Sequence, residues 1–291
     1  METGDLPTGL TLDHVALVTA DLEASREAYE TLGFTLTRVS SHKGRITPDG
    51  PVVAWGSGNH CAMFRRGYFE ILGLTDPNLY HEPFREALSR FHGVSMVALG
   101  CESAEAFYER SKSGSAPLVP PVEVRRDIPS GETTREGLFR IVRLEPGAFP
   151  ELELLFIEQA TRSLLWQKPL LEHPNGVIGL SGLSLCSDAP EETAARFERC
   201  TGLGGAAKDG SPHFVLDGSY VAMTSPENIM SRFRGAVLPA VPSVGVVELS
   251  VEDVDATKRF LEGAGVTPHA SKDGIWVRPE RTGGVILEFK S

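Results

Sequence analysis

Two side chains in this chain are placed to do chemistry together. His14 sits in Leu12-Asp13-His14-Val15-Ala16-Leu17-Val18, and Glu70 sits in Tyr68-Phe69-Glu70-Ile71-Leu72. Both stretches read as short apolar strands. An imidazole on a first strand and a carboxylate on a last strand of one small sheet can converge on a divalent metal ion. The same two groups can also form a metal-free, hydrogen-bonded pair lining a polar pocket. Tyr68 shares a strand face with Glu70, so its phenol could donate a proton to a substrate oxygen or simply pack in the core. Upstream, Gly56-Ser57-Gly58-Asn59-His60-Cys61 leads into the same strand pair and offers Asn59 and His60 as substrate contacts. Arg140 and Arg143 lie an odd number of residues apart on one strand, so only one can face inward, and Arg140 is the candidate anchor for an anionic group.

The elements that position these residues recur along the chain. The strand His14 to Val18 is followed by Asp21 and a helical stretch ending near Gly33. Val246 to Ser250, Asp253 and Gly265 repeat this arrangement at the same spacing. Two further copies begin at Val94 to Leu99 and at Leu183 to Cys186, and each helix is followed by Gly or Pro punctuation and short β-rich runs. The repeated unit is β-α-β-β-β. The fold class expected is therefore α+β, with four βαβββ modules paired into two domains, residues 1–165 and 166–291. The connector contains Glu158 to Lys168 and His173-Pro174-Asn175-Gly176, a turn-encoding run.

Leu12 to Phe34, Gly56 to Leu72 and His173 to Gly176 together resemble the glyoxalase-like branch of the vicinal oxygen chelate superfamily, the group of glyoxalases, bleomycin-resistance proteins and extradiol dioxygenases. The resemblance implies that paired modules share one concave sheet and take metal ligands from the first and last strand of each module. On that pattern His14 and Glu70 are the metal ligands and the cofactor is a divalent ion such as Zn, Mn, Ni or Fe. In the second module Ser95 or Met96 stands at the histidine position, and Glu151 or Glu153 is offered by the last strand. Glu153 aligns better, and with Tyr68 it is the candidate catalytic group. The third module has Ser181 or Gly182, and the fourth has Val246, in place of histidine, although Glu288 matches Glu70. The second domain is thus expected to be degenerate, with an emptier or more apolar concave face. The function implied is a small-molecule enzyme in which a metal polarises vicinal substrate oxygens, with lyase, isomerase or dioxygenase-like chemistry. The alternative is a metal-free binding or sequestering protein of the bleomycin-resistance type.

Composition narrows the surroundings. The chain has 291 residues, a net charge of -11 and no clustered basic and aromatic stretch, which argues against a nucleic-acid partner. No apolar run is long enough for a bilayer, and the first residues carry Glu2 and Asp5 where an export signal would be basic, so a cytoplasmic location and no membrane partner are expected. A small-molecule substrate and a homodimer are the partners this reading admits. Cys61, Cys101, Cys186 and Cys200 show no paired spacing and are expected to be reduced. His42, His81, His92, His213 and His269 sit in polar or loop contexts without an evident ligand partner.

Overall fold

The computed structural model of the chain describes residues 9–46, 50–90, 93–114, 116–131 and 133–291. His92, Glu2 and Asp5 lie outside these. The first half comprises β1 (Leu10–Thr19), α1 (Leu22–Thr31), β2 (Ser40–Arg45), β3 (Val52–Met63), β4 (Tyr68–Leu74), α2 (Glu82–Arg90), β5 (Gly93–Cys101), α3 (Ala104–Ser113), β6 (Val122–Ser130), β7 (Thr133–Arg143) and β8 (Glu153–Glu158). A short helix α4 (Arg162–Leu165) and a 3-10 turn at Lys168–Leu170 form the connector. The second half comprises β9 (Val177–Cys186), α5 (Pro190–Thr201), β10 (Ala206–Lys208), β11 (Ser211–Leu216), β12 (Ser219–Thr224), α6 (Pro226–Arg232), β13 (Ser243–Val251), α7 (Val254–Gly263), β14 (His269–Ala270), β15 (Gly274–Val277), α8 (Pro279–Thr282) and β16 (Ile286–Lys290).

Local chemistry explains why each unit turns from strand to helix where it does. Asp21, Ser103 and Asp253 are extended residues whose side chains accept from the backbone N–H three positions on, capping α1, α3 and α7. The third unit uses Pro190 at the start of α5 instead. The strands assemble into two eight-stranded sheets, ordered β2-β3-β4-β1-β5-β8-β7-β6 and β10-β11-β12-β9-β13-β16-β15-β14. In each, the first strands of two units pair antiparallel at the centre, and each also pairs parallel with the last strand of its own unit. This is the α+β arrangement of two paired-module domains that the repeat implied.

One continuous apolar core joins the sheets. It takes Leu12, Val15, Leu17, Val97, Leu154 and Phe156 from the first sheet, Leu183, Leu185 and Leu287 from the second, and Tyr29, Phe107, Phe197 and Leu261 from the helices. The face carrying these residues is the helix-bearing face, and the opposite face of each sheet is called the open face below. Between the sheets, His173 accepts from the Thr35 N–H at 2.9 Å through Nδ1 and donates through Nε2 to the Met63 carbonyl at 2.8 Å. Asn175 donates to the Leu32 carbonyl and Gly176 turns at φ +74°. The His-Pro-Asn-Gly run is therefore a peg between domains. His173→Ala should lose about 1–3 kcal/mol in urea denaturation, because a backbone N–H and a carbonyl are left unpaired.

The first sheet differs from the second at its edges. β6 and β7 pair from Val122–Ile141 to Ser130–Thr133, but β7 pairs with β8 only over Arg140 to Arg143. β2 runs against β3 out to Arg45–Val52, whereas β3 meets β4 only from Ser57 onward. Two hairpin arms thus extend past the ladder of the first sheet, and they meet each other. Lys43 pairs with Asp127, and Arg38 donates to the Gly131 carbonyl at 3.2 Å. The corresponding edge strands of the second sheet, β10 and β14, are three and two residues long.

Candidate functional site

The open face of the first sheet carries a compact polar group built around a β-bulge. The register between β1 and β5 shifts between Leu12 and His14, leaving Asp13 as the extra residue. A bulge kinks the strand and re-aims side chains. Here it lets Leu12 and Val15 both enter the core, and it brings the Asp13 carboxylate to the His14 ring at 2.7 Å from Nδ1. Gln159, just after β8, donates to the same Asp13 oxygen at 2.9 Å. With Nδ1–H given to Asp13, the Nε2 lone pair of His14 faces Glu70, whose Oε2 lies 3.9 Å away. Asn59 on the neighbouring strand donates to the other Glu70 oxygen, Oε1. Tyr68, directly paired with His14 across β1 and β4, stacks on the imidazole with ring centroids 4.3 Å apart. Trp166 closes against Tyr68 edge-on at 5.8 Å, and Arg162 lies over the indole.

The group is deeply enclosed. His14, Glu70 and Asn59 are each 4% exposed. Burial alone would raise the Glu70 carboxyl, but the His14 ring in its protonated form, the Arg126 guanidinium and the Asn59 amide outweigh it and hold the carboxyl below its ordinary value. Burial, with the Asp13 and Glu70 charges, pushes the Tyr68 phenol well up, so it remains protonated and can donate but not abstract. His42 on β2 accepts or donates at Nδ1 with Ser57 at 3.0 Å, while its buried Nε2 has no hydrogen-bond partner among the described residues. Burial and Arg126 depress His42 to about 4. Burial also lowers His173. Both histidines bind protons more readily unfolded than folded, so the stability they hold is complete above the unfolded value of 6.5 and drains as pH falls below it, for His42 down to about 4. The expected slope from His42 is about 1.4 kcal/mol per pH unit in that window. Urea midpoints across it should flatten in His42→Asn, and an unchanged pH slope would contradict the assignment.

Of the residues singled out from sequence, the structure brings together His14, Glu70, Tyr68 and Asn59. Three others lie elsewhere. His60 alternates to the helix-bearing face and holds the Thr37 carbonyl at 2.7 Å through Nδ1. Arg140 also points to that face, where it pairs with Glu158, a residue whose second oxygen accepts from the Ala104 N–H at the start of α3. Glu153 is on the open face but at its rim, 58% exposed at the side chain and 4.0 Å from Arg143. The registers explain this last correction. Met96 pairs with Glu153 as His14 pairs with Tyr68, so Glu153 corresponds to Tyr68, and Leu155 stands where Glu70 stands. Glu151, the other option, is buried against α5, where Arg196 and Thr193 hold it. The open face of the second module is accordingly an apolar wall of Ala98, Phe139, Ile141, Leu155 and Ile157, flanked by Met96, Val124 and Ile128.

Sequence reasoning missed Asp13, Gln159, His42 and Arg126. Asp13 adjoins His14, and strict strand alternation puts it on the wrong face; only the bulge corrects this. Arg126 alternates with Val124 and Ile128 on β6, whose apolar positions mark an inward face, and that alternation was the available signal.

The open face of the second sheet is neither empty nor simply apolar. One end is covered by α6, whose Ile229 packs with Phe233, Val246, Trp276 and Ile286. Beyond it, Glu248 and Glu288 face each other across β13 and β16, both 2% exposed. Lys290 bridges them at 2.8 and 3.2 Å, and Arg232 bridges them at 3.4 and 3.2 Å. Gly182 makes room for the ring that completes this group, since a Cβ there would stand 2.5 Å from Tyr220. Glu288 is thus held within its own domain and does not reach His14.

A divalent ion can be tested against these donors. His14 Nε2 and Glu70 Oε2 lie close enough to share one ion, and the Asp13 tie is the arrangement that steadies a ligating histidine. A third protein donor is missing: Asp13 is turned to His14 Nδ1, and among the described residues no three His, Cys, Asp or Glu side chains form a group that could hold an ion. Leu155 takes the place of a fourth-strand carboxylate, and Arg126 adds positive charge beside Glu70. This donor set falls short of what a resident divalent ion requires.

Comparison with known proteins places the fold. Residues 12–201 match the family model described as a glyoxalase-like domain. No curated protein sequence matches the chain. Among solved structures, a hypothetical protein from Staphylococcus aureus is similar with a TM-score of 0.63 and 13% identity, over 97% of this chain and 99% of that one. A mutant of 4-hydroxymandelate synthase from Streptomyces coelicolor is similar with a TM-score of 0.59 and 13% identity, covering 98% of this chain and 92% of that one. A xylose isomerase-like TIM barrel/4-hydroxyphenylpyruvate dioxygenase fusion protein matches at a TM-score of 0.55 and 11% identity, over 99% of this chain and 50% of that one. Among the described residues no helix is long and apolar enough to cross a membrane. With the repeated unit, the paired-module sheets and the family match in agreement, the chain belongs to the glyoxalase-like domain family of the vicinal oxygen chelate superfamily.

Proposed function

We propose that the first domain is a small-molecule enzyme site in which His14 moves a proton, oriented by Asp13 and assisted by Glu70. The observation carrying this is the Asp13–His14 contact at 2.7 Å, which commits Nδ1–H and leaves Nε2 as a base beside a second carboxylate. A base next to an ionised acceptor, stacked under a phenol that stays protonated, can take a proton from a substrate carbon or hydroxyl and return it elsewhere. That is lyase or isomerase chemistry. Two protein donors are too few to hold a metal ion in place, so this chemistry rests on His14 and its two carboxylates.

The reading is tested by incubating the protein with a panel of carbon acids in D2O and following C–H exchange by proton NMR. Exchange by the wild type that falls about 10²–10⁴-fold in His14→Gln supports it. A sequestering protein of the same fold is the second reading, favoured by the two-donor set. It becomes the better one if panel members bind without exchange, or if His14→Gln leaves exchange unchanged. Metal content of the purified protein, measured by mass spectrometry, tests the donor argument separately: a stoichiometric ion lost in His14→Gln would overturn it.

A further inference from the structure

The first-domain site is enclosed by something other than its own sheet. The arm formed by β6 and β7 leaves the ladder beyond Arg140 and crosses the open face, so that Val124 and Ile128 lie on the apolar wall. Its tip is held by Gln167, which donates to the Pro129 carbonyl at 2.7 Å, by Arg38 on the Gly131 carbonyl, and by the Lys43–Asp127 pair. The last of these is an exposed ion pair, 48% and 59% accessible at the two side chains. Exposed pairs of this kind contribute about 0–1 kcal/mol. The covered groups, by contrast, are among the most buried polar residues of the chain. With the arm in place these groups are covered, and at its tip the arm is fastened by two hydrogen bonds and one exposed ion pair. Among the described residues the second sheet, whose open face is filled by α6 and by its own side chains, has no such arms.

The arm also carries a charge. Arg126 lies between Val124 and Ile128, half-buried, and its guanidinium acts electrostatically on Glu70, Tyr68, His42 and Cys61. Among the described residues it forms no ion pair, whereas its neighbour Arg125 is engaged by Glu123 and Glu136. The carboxylates nearby have other partners, Asp13 with His14 and Gln159, Glu70 with Asn59. A half-buried guanidinium without a counter-ion retains five donors in a fork that suits a carboxylate. Two more polar atoms in the same enclosure, His42 Nε2 and Gln159 Oε1, are buried with no partner among the described residues. An orphaned base, an orphaned acceptor and a cation in no ion pair around one acid–base group are polar valences that a ligand could meet.

We propose that the β6–β7 arm is a lid that delivers Arg126 as the counter-charge for the substrate, and that the substrate is a small monocarboxylate with an apolar body, the carboxylate on Arg126 and the body on the wall of Phe139, Ile141, Leu155 and Ile157. This rests on the proposed location of the site but not on its proton chemistry. The test uses phenylacetate, cyclohexanecarboxylate and hexanoate, each beside its uncharged amide, in calorimetric titrations of the full chain. Wild type should bind at least one acid roughly tenfold or more above its amide, as expected for a charged hydrogen bond. Arg126→Gln should erase that preference, Arg126→Lys should keep part of it, and hydrogen exchange of the arm should slow when the acid is bound. Absence of any acid preference in the wild type, a preference surviving in Arg126→Gln, or arm exchange indifferent to bound acid would overturn the proposal. Binding is read by calorimetry and proton transfer by C–H exchange, so an acid that binds with the Arg126-dependent preference but does not exchange counts against the proton chemistry alone.

Discussion

Lys290→Met is expected to destabilise the chain by about 3–5 kcal/mol at pH 8, the cost of leaving buried charge without its partner. Glu248 and Glu288 are 2% exposed and face each other, and the pair is neutralised by Lys290 and Arg232 together. Removing the ammonium leaves Arg232 to serve two carboxylates from a side chain that is 44% exposed. The two glutamates do not share the consequence equally. Burial raises both, but Lys290, Tyr220 and Arg232 hold Glu248 below its ordinary value, whereas burial and the neighbouring Glu248 charge leave Glu288 raised. Glu288 is therefore the group that takes up a proton when the lysine is lost. Its folded value rises further in the variant, so protonation restores stability as pH falls, and the loss should shrink between pH 8 and pH 5. Urea denaturation of wild type and Lys290→Met at the two pH values reads this directly, with Lys290→Arg expected to lie close to wild type. A variant within about 0.5 kcal/mol of wild type at both, the range of ordinary surface substitutions, would show that the quartet does not hold the second domain together.

The same quartet shows where sequence reading reached and where it stopped. The four units and the order of strand and helix within them follow from local signals: alternating apolar strands, an Asp or Ser before each of three helices, glycine after them. His14 and Glu70 were legible because each occupies a fixed place in that unit. What fills the second open face was not. Gly182 and Val246 announce missing histidines, but the cations that occupy the space come from α6 and from the last residues of β16, and no local pattern ties Arg232 to Lys290. Glu153 failed for a related reason. Glu151, Glu153 and Leu155 alternate identically on paper, and only the ladder with β5 decides which of them matches Glu70. A shift of one pair along a strand keeps the face and moves the side chain from the centre to the rim. Arg140 and His60 failed by parity, since each lies one position from a residue that does face the site.

Asp13→Asn should lower any turnover at the first-domain site by about 10²–10⁴-fold, although Asp13 need touch no substrate. Its carboxylate accepts from His14 Nδ1 and from Gln159, and it occupies the bulge between β1 and β5. An asparagine fits the same space and can still accept from Nδ1–H through its oxygen, but that oxygen carries no charge. The imidazolium formed when His14 takes a proton then loses its counter-ion in an enclosure where charge is costly. If the amide instead presents its NH2 group, His14 must accept at Nδ1 and place its proton on Nε2, facing Glu70, where it can no longer act as a base. Both outcomes weaken proton transfer while leaving the fold's apolar core untouched. Nitrogen NMR of labelled histidine distinguishes them: the wild type should show a protonated Nδ1 and an acceptor Nε2, and the variant either that same tautomer or a shift of the proton to Nε2. Binding of an acid from the panel above should change little in Asp13→Asn, because Arg126 lies on the arm and not on β1. A variant that keeps both full exchange activity and the wild-type nitrogen spectrum would show that Asp13 serves only the bulge and has no part in proton transfer.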